Sequence, residues 1–304
     1  MLIGALEAGG TNMVCSIGTM QAGVMQRAAF PTLTPEETMP KVIEFIRMFD
    51  VKALGVGSFG PLNLNPASPE YGSITNTPKK EWRNFPLLKT LTDALGVPAR
   101  LDTAVNAAAL AEHRLGAGKG TRNMLYVSIG AGVGGGVIIN GEPVHGLVHP
   151  ELGHMIVIPQ EDDPMPDGVC PFHGHCLEGL AAEPAIERRW GLPHQLMTED
   201  HPAWVLEANY IAQMCVSAIV TFSPEVIILG GSVMQHTALY DLVRNGVLGM
   251  LGGYVASEKL RPEGISSYIV PPALGIHSGV TGAMLLAAQA LEQSAASDSG
   301  KSGR

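Results

Sequence analysis

Two stretches hold the side chains with the most chemistry: Glu151-Leu152-Gly153-His154, and Cys170-Pro171-Phe172-His173-Gly174-His175-Cys176-Leu177-Glu178. Cys170, His173 and Cys176 recur at three-residue intervals on a loop rich in glycine and proline. His154 lies upstream, at the end of an apolar segment. Zinc takes four tetrahedral ligands from thiolate and imidazole, and a set supplied wholly by protein is structural rather than catalytic. His154, Cys170, His173 and Cys176 are therefore the expected zinc ligands. Glu151 and Glu178 bracket this set and are not needed by the metal. They can accept hydrogen bonds, and a polyol is the expected donor.

Glycine turns must position such groups. Leu2–Leu6, the turn Glu7-Ala8-Gly9-Gly10-Thr11 and Met13–Ile17 read as strand, turn and strand. Leu125–Ile129, Gly130-Ala131-Gly132-Val133-Gly134 and Gly135–Ile139 repeat the plan, which suggests a duplicated α/β unit. Glycine lets a backbone approach a phosphate and aim several N–H groups at it. A third turn, Gly230-Gly231, follows the apolar strand Val226–Leu229, a pattern suited to the centre of a parallel sheet. A fourth segment, Gly275–Gly282, opens an Ala/Leu-rich helix expected to end near Gln293.

Other elements are plainer. Helices are expected over Pro35–Met48 and residues 204–221, with a strand over Val51–Val56. Asn106 is expected to cap an Ala-rich helix that stops near Gly116-Ala117-Gly118. Residues 62–85, dense in Asn, Pro, Ser and Gly, read as a surface loop over a site. In that loop Asn76, Thr77, Pro78 and Trp82 either line a sugar site or pack the loop.

The composition narrows the partners. The chain has 304 residues, 46% of them apolar, and a formal net charge of −9. That length suits two domains. Without a Lys/Arg-rich run, nucleic acid and anionic membranes are poor partners. No segment reads as apolar for long enough to span a bilayer. The start Met1-Leu2-Ile3-Gly4 lacks the pattern of a signal peptide. Cys15 and Cys215 lie in apolar segments and are expected to be buried thiols. The expected setting is cytoplasmic, with no disulfide framework.

Taken together, these segments resemble the ROK sugar kinases, and among them the bacterial fructokinases. The carriers are Glu7–Thr11, Asn106-Ala107-Ala108-Ala109-Leu110, Ser128–Gly134, Glu151–His154, the Cys170–Glu178 loop and Leu229-Gly230-Gly231. The histidine in Cys170-Pro171-Phe172-His173 is similar to the fructokinase branch. The resemblance covers nearly the whole chain. It implies an actin-like (ribonuclease H-like) α/β fold of two domains around a cleft. The implied boundaries are residues 1–115 joined by helix 278–293, residues 116–277 with the zinc loop, and a disordered tail 294–304.

The resemblance also implies a reaction: D-fructose and ATP giving fructose 6-phosphate and ADP. Gly9, Gly10 and Thr11 would cradle the terminal phosphates, faced by Gly130, Ala131 and Gly132. Gly230 and Gly231 would lie along the nucleoside, Gly279 would serve the nucleotide, and Glu7 would act near Mg²⁺ through water. Asn106, Glu151, His154 and Glu178 would bind sugar hydroxyls, with His154 using its second ring nitrogen for zinc. A homodimer is implied as well.

The sequence departs from the family at one decisive place. The general base is an aspartate two residues before the asparagine matched by Asn106, and here that position is Ala104. Asp102 is the nearby carboxylate, roughly 6–7 Å away along an extended strand. Asn12 replaces the usual lysine, and Ala131 replaces a common threonine. A positioned base contributes about 10²–10⁴-fold, so binding should survive better than turnover. Three readings stay open here: an engineered inactive kinase, a kinase that uses Asp102 or water, and a sugar-binding pseudokinase. A related repressor would place a DNA-binding domain ahead of the first glycine turn, where this sequence begins directly with the strand.

Overall fold

The computed structural model describes residues 1–301, with side chains through Ala296. It divides into two compact units. The first comprises Met1–Ala111, Pro143–Pro150 and Ile276–Arg304, and the second Glu112–Glu142 and Glu151–Gly275.

The first unit is built on strands β1 (Ile3–Ala8), β2 (Asn12–Thr19), β3 (Gly23–Pro31), β4 (Leu54–Ser58) and β5 (Ala99–Thr103), ordered β3-β2-β1-β4-β5. β1 pairs antiparallel with β2 and parallel with β4, and β4 pairs parallel with β5. The register sets Glu7 beside Gly57 and Gly57 beside Asp102. Three parallel strands thus end together, where open α/β sheets present their ligand sites. Helices α1 (Pro35–Arg47) and α2 (Leu87–Leu95) cover one region of the core with Leu6, Met13, Val42, Leu54 and Leu91 buried. A capping box formed by Thr34 and Glu37 starts α1. Helix α3 (Ala104–Leu115) follows β5 directly.

The second unit repeats the sheet. β6 (Met124–Ile129), β7 (Val133–Ile139), β8 (Glu142–Pro143), β9 (Ile227–Gly230) and β10 (Ile269–Val270) are ordered β10-β9-β6-β7-β8. β6 and β7 form the antiparallel hairpin, and β9 lies parallel to β6 with Ser128 beside Gly230. The duplication read from the two hairpins therefore extends to whole five-stranded sheets. Helices α4 (Leu177–Ala181), α5 (Glu183–Trp190), α6 (Ala203–Phe222) and α7 (Leu239–Leu251) complete this unit. α8 (Ser278–Lys301) returns to the first unit, where Ala283 and Ala287 pack with Ile3 and Ala5.

Several expectations are corrected. The division falls inside α3 after Ala111, rather than at residue 115, and Pro143–Pro150 belongs to the first unit. Two hydrogen bonds explain that return: His145 Nε2 to Asp102 Oδ2 at 3.0 Å, and Leu62 N to His149 Nε2 at 3.0 Å. α8 continues past Gln293 to Lys301, so most of the segment expected to be disordered is helical, and residues 302–304 lie outside the described residues. The 20-residue α6 is long and apolar enough to cross a membrane, contrary to the sequence reading. Trp204, Tyr210, Ile211, Met214 and Cys215 are buried along it, as in a core helix.

Candidate functional site

The first glycine turn closes on itself. Gly9 N–H donates to Asn12 O at 3.0 Å, and Thr32 Oγ1 donates to Gly9 O at 2.8 Å. Gly9 is therefore spent on the turn, while the N–H groups of Gly10 and Thr11 donate to nothing among the described residues. The second turn behaves alike: Gly130 N–H donates to Gly132 O at 2.9 Å, which leaves Ala131 and Gly132 as available donors. Each turn thus offers two adjacent N–H groups of the kind that cradle an anion. Gly9 and Gly130, expected as phosphate donors, instead build the turns.

Lys79 stands over the first turn. Its Cε lies 3.5 Å from where a Cβ on Gly10 would be, and its ammonium makes no hydrogen bond or ion pair among the described residues. Sequence reading missed Lys79 because only the path of the 62–85 loop brings it there. That loop is less superficial than expected. Trp82 is buried, donates to Leu33 O at 2.6 Å and packs edge-on against Phe59 and Phe85, so its role is packing. Asn76 is exposed.

Glu7, one residue before the end of β1, has Oε1 pressed against Gly279 in the first turn of α8, where a side chain would meet it. Burial raises the Glu7 carboxyl above its ordinary range, opposed by Arg27. The helix N-terminus favours its charged form. Gly279 therefore makes room for Glu7.

At the end of β5, Thr103 Oγ1 accepts from Asn106 N at 3.1 Å and caps α3. Thr103, not Asn106, is the cap. Asn106 instead lies in the first turn of α3, where its Nδ2 donates to Asp102 Oδ1 at 2.8 Å. Its Oδ1 is buried with no hydrogen-bond partner among the described residues. Asp102 is buried and accepts again from Thr103 N at 2.7 Å and at its other oxygen from His145. Ala104 is partly exposed and carries no polar atom on its side chain.

The second unit gathers the predicted zinc ligands. One donor atom from each of His154, Cys170, His173 and Cys176 lies within 4.8 Å of all the others. Cys170 Sγ is 3.7 Å from both His154 Nδ1 and His173 Nδ1, and Cys176 Sγ is 3.5 Å from His154 Nδ1. Zinc bond lengths give a sulfur-to-nitrogen edge of roughly 3.5 Å in a tetrahedron, so the set fits the ion. All four cysteines of the chain are free thiols.

His154 turns its other nitrogen, Nε2, to 3.9 Å from Glu178 Oε1. Glu178 Oε2 accepts from Val133 N at 3.0 Å and sits beside Gly132. The zinc cluster, a carboxylate and the second glycine turn are thereby joined in one unit. Glu151 is exposed as a residue, yet burial of its carboxyl, with the Glu178 charge, pushes it up to about 7. Gly231 has φ +93° and lies against the backbone of Ile129, a close approach that only glycine allows. Glu183, also unforeseen, donates its N–H to Gly130 O and accepts from both Ser232 Oγ and His194 Nε2.

Residues 3–290 match the ROK family. The chain belongs to the ROK family. This ROK protein is 42% identical over 292 residues to the fructokinase of Pediococcus pentosaceus, covering 96% of the chain and 99% of that relative. A ROK hexokinase from Thermus thermophilus superposes with a TM-score of 0.76 at 26% identity, covering 96% of this chain and 100% of that one. A ROK family glucokinase from Streptomyces griseus, in complex with glucose and AMPPNP, gives 0.75 at 22% identity over 95% of this chain and 100% of that one. At that identity the likeness speaks for the fold alone.

Proposed function

We propose that this ROK protein is an ATP-dependent hexose kinase of the fructokinase type, passing the γ-phosphate of ATP to a hydroxyl of D-fructose. The observation that carries this reading is the near full-length likeness to a fructokinase. The two glycine turns support it from the chain's own geometry. Phosphoryl transfer depends mainly on positioning and on neutralising charge. Gly10, Thr11, Ala131 and Gly132 offer N–H groups to phosphate oxygens. Lys79 brings a positive charge to the turn where Asn12 brings none. Gly230 and Gly231 lie along the nucleoside.

Mg²⁺ would arrive with the nucleotide, and Glu7, which precedes the first turn, is the carboxylate that the unit offers it. Asn106 Oδ1, Glu151, Glu178 and His154 Nε2 bind sugar hydroxyls. Zinc, held by His154, Cys170, His173 and Cys176, fixes the His154 ring so that Nε2 keeps its aim. The reduced cysteines suit a cytoplasmic setting. Exposed Ile156, Ile158 and Phe172 on the second unit support assembly as a homodimer.

Ala104 favours a second reading, a sugar-binding pseudokinase. ADP release with MgATP and fructose separates the two when this chain is compared with Ala104→Asp. A gain of at least about a hundredfold identifies position 104 as the missing base. A fructose-dependent rise in Tm with no ADP from either protein identifies the binder.

A further inference from the structure

Asp102 holds two polar side chains at once, and one of them is a base. Its Oδ1 binds Asn106 Nδ2 at 2.8 Å and its Oδ2 binds His145 Nε2 at 3.0 Å. An ionised carboxylate only accepts hydrogen bonds, so this contact fixes the proton of a neutral His145 on Nε2. Nδ1 is then the nitrogen with the lone pair, and it makes no hydrogen bond among the described residues. The His145 side chain stays 37% exposed. It lines a cavity of about 280 Å³ shared with Asn63, Asn65, Ser68 and Thr75. On the other side of the same carboxylate, the buried Oδ1 of Asn106 has no partner among the described residues. Ala104, where the family's base is missing, follows Asp102 by two residues and precedes Asn106 by two.

We propose that His145, held by Asp102, is the general base of this chain and replaces the carboxylate absent at position 104. The inference rests on the kinase reading. His145 Nδ1 takes the proton of the attacking sugar hydroxyl as the sugar oxygen bonds to the γ-phosphorus. The bond from that phosphorus to the β,γ-bridging oxygen breaks, and ADP leaves with its electron pair. The proton then passes from His145 to water. Asp102 keeps the ring oriented and stabilises the imidazolium, as the carboxylate does in nucleophile–histidine–carboxylate triads.

The charged surroundings agree. The Asp102 hydrogen bond raises His145 above its ordinary range, while burial and Arg100 oppose the rise. The other titratable neighbour is His149, which burial holds low. Turnover should rise with pH as His145 loses its proton.

Four proteins test the inference: this chain, His145→Gln, Ala104→Asp and the double variant, each assayed for ADP release with MgATP and fructose across pH. In this chain His145→Gln should lower kcat at least about tenfold and abolish the acid limb. In the Ala104→Asp background the same change should cost less than about threefold, because the restored carboxylate takes the proton. Asp102→Asn, the check if His145→Gln folds poorly, should move the limb to lower pH. An equal loss in both backgrounds would mean that His145 only supports the fold and would overturn the proposal. So would an unchanged kcat, or turnover confined to Ala104→Asp. If neither this chain nor Ala104→Asp makes ADP, the kinase reading itself falls.

Discussion

Lys79 Cε stands 3.5 Å from the point that a Cβ on Gly10 would occupy, so a loop lysine overlies the first glycine turn. The turn carries no cation of its own, since Asn12 is uncharged. Hydrogen bonds to charged groups contribute about 1.5–3 kcal/mol, or roughly tenfold or more in affinity. Lys79→Met should therefore weaken MgATP about tenfold by calorimetric titration. Asn12→Lys added to that variant should restore part of the loss. Unchanged MgATP affinity in Lys79→Met would remove Lys79 from the phosphate site.

Gly279 meets Glu7 with no room for a side chain. Gly279→Ala brings a methyl against the Glu7 carboxylate at the start of α8, and that carboxylate, the tip of a side chain, must turn away from the helix N-terminus. Its Tm should fall slightly. Removing the obstacle with Glu7→Ala should make Gly279→Ala nearly neutral, which a double-mutant cycle measures. A fall of equal size with and without Glu7 would place the strain elsewhere.

The parts legible in the sequence were those encoded by short-range spacing. The Cys170–Cys176 loop with His154, and both strand–glycine–strand hairpins, needed only local pattern. Finer assignments within those patterns failed where a neighbour competed for the same task. Thr103 and Asn106 are both good caps, and only the hydrogen bond from Asn106 N to Thr103 Oγ1 decides between them. Gly9 and Gly130 look like phosphate donors until their N–H groups are seen closing the turns. Lys79, His145 and Glu183 gave no signal, because a lone polar side chain acquires its partner only through tertiary contact. His145 lies far along the chain from Asp102, and no periodicity links them.

Zinc should be stoichiometric and structural, at about one ion per chain for the His154, Cys170, His173 and Cys176 set. Cys176→Ser, or a strong chelator, should release it and lower Tm, since binding energy at such sites is folding energy. Fructose affinity should fall in parallel, because His154 Nε2 loses its fixed aim when Nδ1 loses the metal. Elemental analysis and a fructose-dependent thermal shift read the two effects separately. Metal loss without any change in sugar affinity would leave zinc a purely structural role.

Glu151 gives a pH dependence with a definite sign. Burial and the Glu178 charge hold its carboxyl at about 7 in the folded chain, against an ordinary value of 4.5. The folded state therefore keeps a proton that the unfolded state has already released. The resulting stabilisation is full below the unfolded value and is lost as pH rises through about 7. Glu151→Gln stays neutral throughout and lacks this dependence. Between about pH 5 and about pH 8, the parent's Tm should fall relative to that of Glu151→Gln. Removing the neighbouring charge with Glu178→Gln should move the decline to lower pH. If the parent and Glu151→Gln keep parallel Tm curves across that range, the Glu151 carboxyl is solvated well enough to titrate as an ordinary surface acid.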